Sequence, residues 1–552
     1  MQHNITKKMM ALCIAAMFSN AFAGGVTPDA GSIKRDNVPA TTPPPRPDAN
    51  LPQAAEPSAV SQDTTPIEIK KITVDGATVF SNESLQALVS EYATGTHTLG
   101  DLQKAAAIIT AHYRKNGYFL ARAYLPKQSL ENGAVTISVL EGNLGELKVE
   151  NTSRLSDSKL NAYLGKINTG KPLQKKQVDR ALLLLSDTPG VGGLDSRVEA
   201  GVNVGETNLV VTAKEAALFS GRVESDNYGS LYSGRYRIGG NVDANSLFGF
   251  GERLSARLMV SDENLIFGRL GAQVPIGADG LTLSGGYGRT QYSLGDTFDP
   301  LDARGDSDTF DLSLHYPFIR SQNLNVYGSV GAEYRKLQDE IRSTNTKTDK
   351  NAKVGNVGIN ADLRDSLGGG GANQAGLTFT QGKLNIETAS AAAIDAVSAK
   401  TEGSYNKWNW NLSRQQAITQ KLSASVQARG QHTSDNLDSA EKFTLGGANG
   451  VRAYPSGEGS GDIGWLASAE LRYAFMPQVA ASVFYDAGGI EVNADKFLTT
   501  DNTRSIAGYG LSLSGAYKAF DARATAAWRT TGDAVSEPDK TPRFWFQAGW
   551  RF

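Results

Sequence analysis

The sequence predicts an α+β N-terminal region followed by an all-β transmembrane barrel of about 16 antiparallel strands. Three observations lead there. The last ten residues, Arg543 to Phe552, place Phe552, Trp550, Ala548, Phe546 and Phe544 on one strand face. Arg551, Gly549, Gln547, Trp545 and Arg543 fall on the other. Side chains alternate across a strand, and lipid on one side with water on the other explains an outward row of aromatics. The same alternation recurs from about Ala217. Leu422, Ala424, Val426 and Ala428 oppose Lys421, Ser423, Ser425, Gln427 and Arg429; Trp465, Ala467, Ala469, Leu471 and Tyr473 oppose Ser468, Glu470 and Arg472. Ahead of this region, a β-α-α-β-β pattern occurs twice in succession, the mark of internal duplication.

The first 23 residues read as an export signal. Lys7 and Lys8 precede an apolar run, Met9 to Met17, and Ala21-Phe22-Ala23 offers a small-x-small cleavage site. Cys13, the one cysteine in the chain, lies inside this signal, so the mature protein is expected to need no disulfide. No later stretch reaches the ~18 apolar residues a spanning helix requires. An exported chain with lipid-patterned strands belongs in a bacterial outer membrane. The net charge of −2 argues against a nucleic-acid partner.

Residues 24–65 are rich in proline and polar groups, and are expected to form an extended linker after a short helix over Pro28 to Arg35. The first repeat spans 66–142. It opens with a strand from Ile67 to Val74, continues through helices near Glu83–Tyr92 and Leu99–Lys115, and ends with strands Tyr118–Tyr124 and Ala134–Leu140. The second spans 143–215, with a strand Leu144–Asn151, helices near Ser156–Leu164 and Gln174–Ser186, then strands Asp195–Gly201 and Asn208–Ala213. Val178, Ala181, Leu182 and Leu185 form a stripe at helical spacing, read as core.

The barrel takes 216–552. Short turns at Met476-Pro477-Gln478 and Ala519-Phe520 alternate with long loops at Tyr292–Asp308, Leu337–Ala352 and Thr388–Thr401, as in outer-membrane barrels. A further loop around 433–461 folds inward, and Glu441–Leu445 is read as part of it. Val479, Ala481, Val483 and Tyr485 face lipid, so Phe484 and Asp486 point into the lumen. A loop that folds back into a barrel needs an anchor, and an arginine–carboxylate pair is directional and can be bidentate. Arg452 in the loop and Asp486 on the wall have the chemistry for such a pair, and a family resemblance is what singles them out.

Enzyme readings find no constellation. Five histidines, His3, His97, His112, His315 and His432, are scattered without a metal-binding pattern, so no metal and no cofactor is expected. Gly165 to Lys171 spells G-x-x-x-x-G-K but continues with Pro172, and reads as a connecting loop. Gly368–Gly371 reads as a turn, and no G-x-S-x-G elbow is present.

Two modules feeding a barrel resemble the outer-membrane transporters built from polypeptide-transport-associated (POTRA) domains. Val451-Arg452-Ala453-Tyr454 is similar to that superfamily's VRGY loop motif, departing at Ala453, where glycine is usual. Phe484-Tyr485-Asp486-Ala487-Gly488 is similar to its F-x-D-x-G wall motif. Within it, the two-partner secretion transporters (TpsB family, of the haemolysin and filamentous-haemagglutinin exporter type) resemble this chain most. Pro28-Asp29-Ala30-Gly31 with Arg35 resembles their plug helix, and Arg180 to Gly190 their second-POTRA signature. Asp226-Asn227-Tyr228-Gly229, Gly234 and Asn245 to Gly249 resemble their first barrel hairpin.

The resemblance implies export of a large partner exoprotein (adhesin, cytolysin or contact-dependent toxin) whose N-terminal secretion domain the periplasmic POTRA domains capture. An exposed strand edge of the second module is the expected place of capture, by β-augmentation. It also implies contact with outer-membrane lipids, and biogenesis by the barrel-assembly machinery with Phe552 as the C-terminal barrel signal. An outer-membrane protein insertase and a passive porin are the alternatives.

Overall fold

In the computed structural model, residues 28–36, 49–52, 63, 65–129, 131–167, 170–203, 205–538 and 540–552 are described. The expected export signal and the proline cluster at Pro43–Pro47 lie outside them. A short helix, α1 (Ala30–Asp36), and a two-residue strand, β1 (Ala49–Asn50), come first. The helix begins two residues later than the sequence suggests, because Asp29 caps it instead of joining it: Ser32 N donates to Asp29 Oδ1 at 2.9 Å.

The first module contains β2 (Ile67–Ile69), β3 (Lys71–Asp75), α2 (Asn82–Leu88), β4 (Gly95–His97), α3 (Leu99–Lys115), β5 (Arg122–Tyr124) and β6 (Ala134–Leu140). β6 lies between β3, to which it is parallel, and antiparallel β5. A reciprocal cap between Thr98 and Asp101 starts α3. Its buried face, Leu102, Ala105, Ile109 and Tyr113, packs with Val135, Ile137 and Val139 of β6. Two expectations change here. The opening strand is split, since β2 leaves the main sheet to pair with β4. The strand expected from Tyr118 starts only at Arg122, because Tyr118 N and Ala121 N are spent on turns closing α3.

The second module repeats the order with β7 (Asn143–Asn151), α4 (Asp157–Leu164), α5 (Lys175–Ser186), β8 (Val191–Ala200) and β9 (Glu206–Glu215). β9 lies between parallel β7 and antiparallel β8. The α5 stripe is core: Val178, Leu182 and Leu185 are fully buried. The outer edge of β8, however, is covered. β1 pairs with it in parallel, Ala49 opposite Leu194 and Asn50 opposite Asp195, and Leu51 enters the module's core. The expectation of a linker that buries nothing is corrected by this pairing, and of the sheet's two edges only the outer edge of β7 is left without a strand partner among the described residues.

A closed barrel of 16 strands follows. The first eight are β10 (Phe219–Asp226), β11 (Arg237–Asn245), β12 (Arg253–Ser261), β13 (Ile266–Ile276), β14 (Leu281–Ser293), β15 (Ala303–Arg320), β16 (Leu324–Ile341) and β17 (Thr346–Asp365). β18 (Gly371–Ile386), a loop helix α6 (Ala389–Ala396), β19 (Gly403–Ala417) and β20 (Leu422–His432) lead to the long inward loop. That loop carries β21 (Phe443–Thr444) and β22 (Ser460–Gly461). The wall closes with β23 (Ile463–Met476), β24 (Val479–Glu491), β25 (Thr503–Tyr517), β26 (Phe520–Arg529) and β27 (Arg543–Arg551). β21 pairs only with β22, so Glu441–Leu445 adds no wall strand.

Ile238, Leu270, Val330, Val426, Leu511 and Phe544 are exposed on the outer face, as a wall in lipid requires. The lumen is charged: Arg222 makes paired hydrogen bonds of 2.7 and 2.8 Å to Asp521. The loop expected at Tyr292–Asp308 is kept over residues 294–302, but the one expected at Leu337–Ala352 is mostly strand, interrupted only at residues 342–345. β15, β16 and β17 continue past the lipid as paired ribbons, where polar side chains are solvated and the ladder still satisfies the backbone. The second module is fixed to the barrel's periplasmic turns: Arg320 donates to both Asp187 carboxylate oxygens at 2.6 and 2.7 Å, and Lys159 to Pro275 O and Gly277 O.

Candidate functional site

β24 alternates strictly, so Tyr485 is half-exposed to lipid while Phe484 and Asp486 turn inward. The register places Ser468 of β23 opposite Asp486 and Glu470 opposite Phe484. Into this patch the inward loop delivers Arg452. Arg452 Nε donates to Asp486 Oδ2 and Nη2 to Oδ1, both at 2.8 Å, and the Arg452 backbone N adds a third bond at 3.1 Å. Nη1 reaches Glu470 at 2.9 Å and Nη2 reaches Ser468 Oγ at 3.1 Å. The guanidinium carbon lies 3.3 Å from the centre of the Phe484 ring, a stacking that lysine cannot reproduce.

Asp486 is wholly buried. Burial works against the charge on Arg452, but Asp486 and Glu470 outweigh it and hold its pKa above the ordinary value. Trp545 of the last strand donates its Nε1 to Arg452 O at 2.7 Å, so the loop touches the barrel's closing strand as well.

The neighbouring motif residues shape the loop tip. Val451 N donates to Leu445 O at 2.7 Å and Tyr454 N to Val451 O at 3.0 Å, a tight turn. Tyr454 is fully buried, with Oη 2.6 Å from Thr531 O. Gly488 faces Leu445, and a Cβ there would lie 2.7 Å from Leu445 Cδ2. The sequence motifs thus locate Val451, Arg452, Tyr454, Phe484, Asp486 and Gly488 in one place. Ser468, Glu470 and Trp545 were not singled out. Ser468 and Glu470 are legible as inward residues of β23; their partner Arg452 is not, because the inward loop that carries it has no strand periodicity to give its position.

The N-terminal residues Asp29, Gly31 and Arg35 lie elsewhere, against the lumen wall and the inward loop. Asp29 Oδ2 accepts from Ser439 Oγ at 2.6 Å and Ala30 N donates to Asp339 Oδ1 at 2.9 Å. Arg35 Nη1 donates to Ser439 O and Lys442 O at 2.7 and 3.2 Å, and Lys34 pairs with Glu333. Gly31 is required by contact: a Cβ would fall 2.6 Å from Ser439 Oγ and 2.8 Å from Ala440 N. Ala30 and Ile33 bury themselves among Met259, Leu265, Phe267 and Tyr292. Phe552 closes the seam, exchanging backbone hydrogen bonds of 3.1 Å with Gly221 while its ring faces lipid.

The fold and this site define an outer-membrane pore of the POTRA-barrel class. A family description, haemolysin secretion/activation protein ShlB/FhaC/HecB, matches residues 205–515, and the ShlB-type POTRA domain matches residues 67–142. The heme/hemopexin transporter protein HuxB of Haemophilus influenzae is 30% identical over 449 residues, covering 79% of this chain and 78% of its own. The outer membrane transporter CdiB of Dickeya dadantii is 23% identical, covering 85% and 84%. Among solved structures, CdiB from Escherichia coli superposes with a TM-score of 0.71 at 19% identity, covering 90% of this chain and 93% of that one. BamA from Haemophilus ducreyi, lacking its first three POTRA domains, does so at 0.51 and 16%. The chain belongs to the haemolysin secretion/activation family: it is a two-partner secretion transporter that exports a partner protein across the bacterial outer membrane, with its POTRA domains in the periplasm.

Proposed function

We propose that α1 and β1 together hold the transporter at rest, and that arrival of the exoprotein's N-terminal secretion domain releases both. The observation that carries this reading is the parallel pairing of β1 with β8. An extended segment seeking that edge by β-augmentation competes with the transporter's own linker. Only residues 37–48 join β1 to α1, at most ~45 Å of extended chain. Displacing β1 therefore slackens the tether of a helix that acts as the lumen's plug. The exoprotein then passes as an extended chain, and its folding outside biases movement outward. Arg452 and Asp486 anchor the inward loop throughout the resting state, and Val451, Tyr454, Phe484 and Gly488 shape that anchor. Phe552 serves as the recognition signal for the barrel-assembly machinery during biogenesis.

The relative at 30% identity is named for heme and hemopexin. That favours an exoprotein of haem acquisition over the adhesin, cytolysin or contact-dependent toxin otherwise open to this family. The insertase reading has only the shared fold of BamA behind it.

The test replaces Ala49 and Asn50 by proline in the full-length transporter, so that whichever of the two N–H groups faces β8 is removed from the pairing. The affinity for the partner's secretion domain is expected to tighten several-fold, since a competitor has been removed. Unchanged affinity contradicts the competition.

A further inference from the structure

The inward loop carries a buried carboxylate just past its tip. Glu458 is fully buried and lies away from the Arg452 cluster. It accepts from Arg504 of β25, from Val535 N at 3.1 Å, from Ser536 N at 2.9 Å and from Ser536 Oγ. Val535 and Ser536 belong to the loop joining β26 to β27. The next residue, Glu537, is also buried, and it faces the opposite way. It accepts from Leu231 N at 3.0 Å, from Arg235 Nη2 at 2.9 Å and from Arg543 Nη1 at 3.3 Å. Leu231 and Arg235 lie between β10 and β11, whereas Arg543 opens β27. Glu537 therefore bridges the first hairpin and the last strand.

This junction is where the wall has least ladder. β10 and β27 are in register from Arg222–Arg551 to Asp226–Gln547, the shortest register in the barrel, flanked by the Gly221–Phe552 backbone bonds and by Asn227 N donating to Phe546 O at 3.2 Å. Above Phe546, the closing strand meets the first hairpin through side chains: Asn227 Nδ2 donates to Phe544 O at 3.0 Å, and Tyr232 Oη to Ser536 O at 2.7 Å. The inward loop touches both sides of the junction, because Ser456 Oγ donates to Tyr228 O at 2.7 Å while Glu458 holds Ser536. A buried carboxylate stripped of one donor keeps its desolvation cost, so neither glutamate is a neutral ornament of a surface loop.

We propose that Glu458 is an outer lock on the inward loop, and that through Glu537 it ties the loop's position to closure of the barrel between its first and last strands. Both act as positioning residues. The inference rests on the proposed reading of the loop as anchored in the resting state by Arg452 and Asp486.

The test uses whole cells producing the full chain, treated outside with trypsin, and follows cleavage after Lys442, which is partly buried in the inward loop. Heat-modifiable mobility confirms that each barrel is folded. Glu458→Gln is expected to speed this cleavage about ten-fold, and Glu537→Gln to a similar degree. The double variant is expected to match the faster single variant, because one network is broken only once. If Glu458→Gln does not assemble, Ser536→Ala removes one donor and is expected to give the same change at smaller amplitude. Arg452→Ala, run alongside, separates two failures. Cleavage raised by Arg452→Ala but not by the glutamate variants overturns the outer lock alone. No rise in any variant overturns the loop reading itself. Rate effects that multiply in the double variant overturn the link between Glu458 and Glu537.

Discussion

The methyl group of Ala453 rests against Gly508 of β25: a Cβ on Gly508 would come within 2.4 Å of Ala453 Cβ and 2.7 Å of Trp528 O. Ala453 is the one departure from the usual loop motif, and the opposing glycine supplies the room it takes. Gly508→Ala is therefore expected to push the loop tip off the wall and lower export, whereas Gly508→Ala combined with Ala453→Gly recovers part of it. Export of the partner in the two backgrounds checks this; equal loss in both contradicts the pairing.

Gly31→Ala is expected to unseat α1, because its Cβ would enter the space held by Ser439 and Ala440. Planar-bilayer recordings of the purified chain should show larger or more frequent open events than the unaltered protein. A conductance unchanged by the substitution would mean that α1 does not obstruct the lumen.

Glu141 of the first module should make that module acid-sensitive. Burial opposes its charge, but Thr78, Tyr113 and the Val79 N–H all donate to it, and the net effect lowers its pKa. A carboxylate depressed in the folded state contributes stability above its unfolded pKa of about 4.3, and that contribution is lost as pH falls below it. Hydrogen exchange in β6 is expected to accelerate as pH drops through that window after correction for intrinsic rates. Glu141→Gln should cost about 1–3 kcal/mol at neutral pH and flatten the dependence.

Arg320→Ala should free the second module from the barrel while leaving both folded. The side chain is buried, and its loss leaves Asp187 without its bidentate partner. Protease sensitivity between β9 and β10 is the measurement; resistance equal to that of the unaltered chain would show that the bonds of Lys159 to Pro275 O and Gly277 O suffice.

What the sequence made legible was governed by local periodicity. The alternation in Arg543–Phe552 and Trp465–Tyr473 fixes which side chains meet lipid, and the helical stripe of α5 fixes the second module's core. Arg452 and Asp486 were recoverable because each sits in its own short motif. Glu458 was not, since an acidic residue among glycines in Ser456-Gly-Glu-Gly-Ser has the texture of a solvated loop. Its burial depends on Arg504 and Ser536, which only barrel closure brings near. The β1 pairing was hidden for the same reason: two residues in a proline-rich stretch carry no periodicity, and their partner is the edge of a module far along the chain. The upper parts of β15–β17 are polar on both faces, so period-two hydrophobicity disappears where the strands leave lipid.

The most direct measurement is export of the partner exoprotein into the medium by cells making the unaltered chain, its Arg452→Ala variant, or neither. Removing one partner of a desolvated ion pair costs about 3–5 kcal/mol, enough to displace the loop from Asp486 in most molecules. The account predicts export that requires the chain and falls sharply in the variant at equal levels of folded barrel. Export by the variant equal to that of the unaltered chain would contradict the role of the Arg452–Asp486 lock.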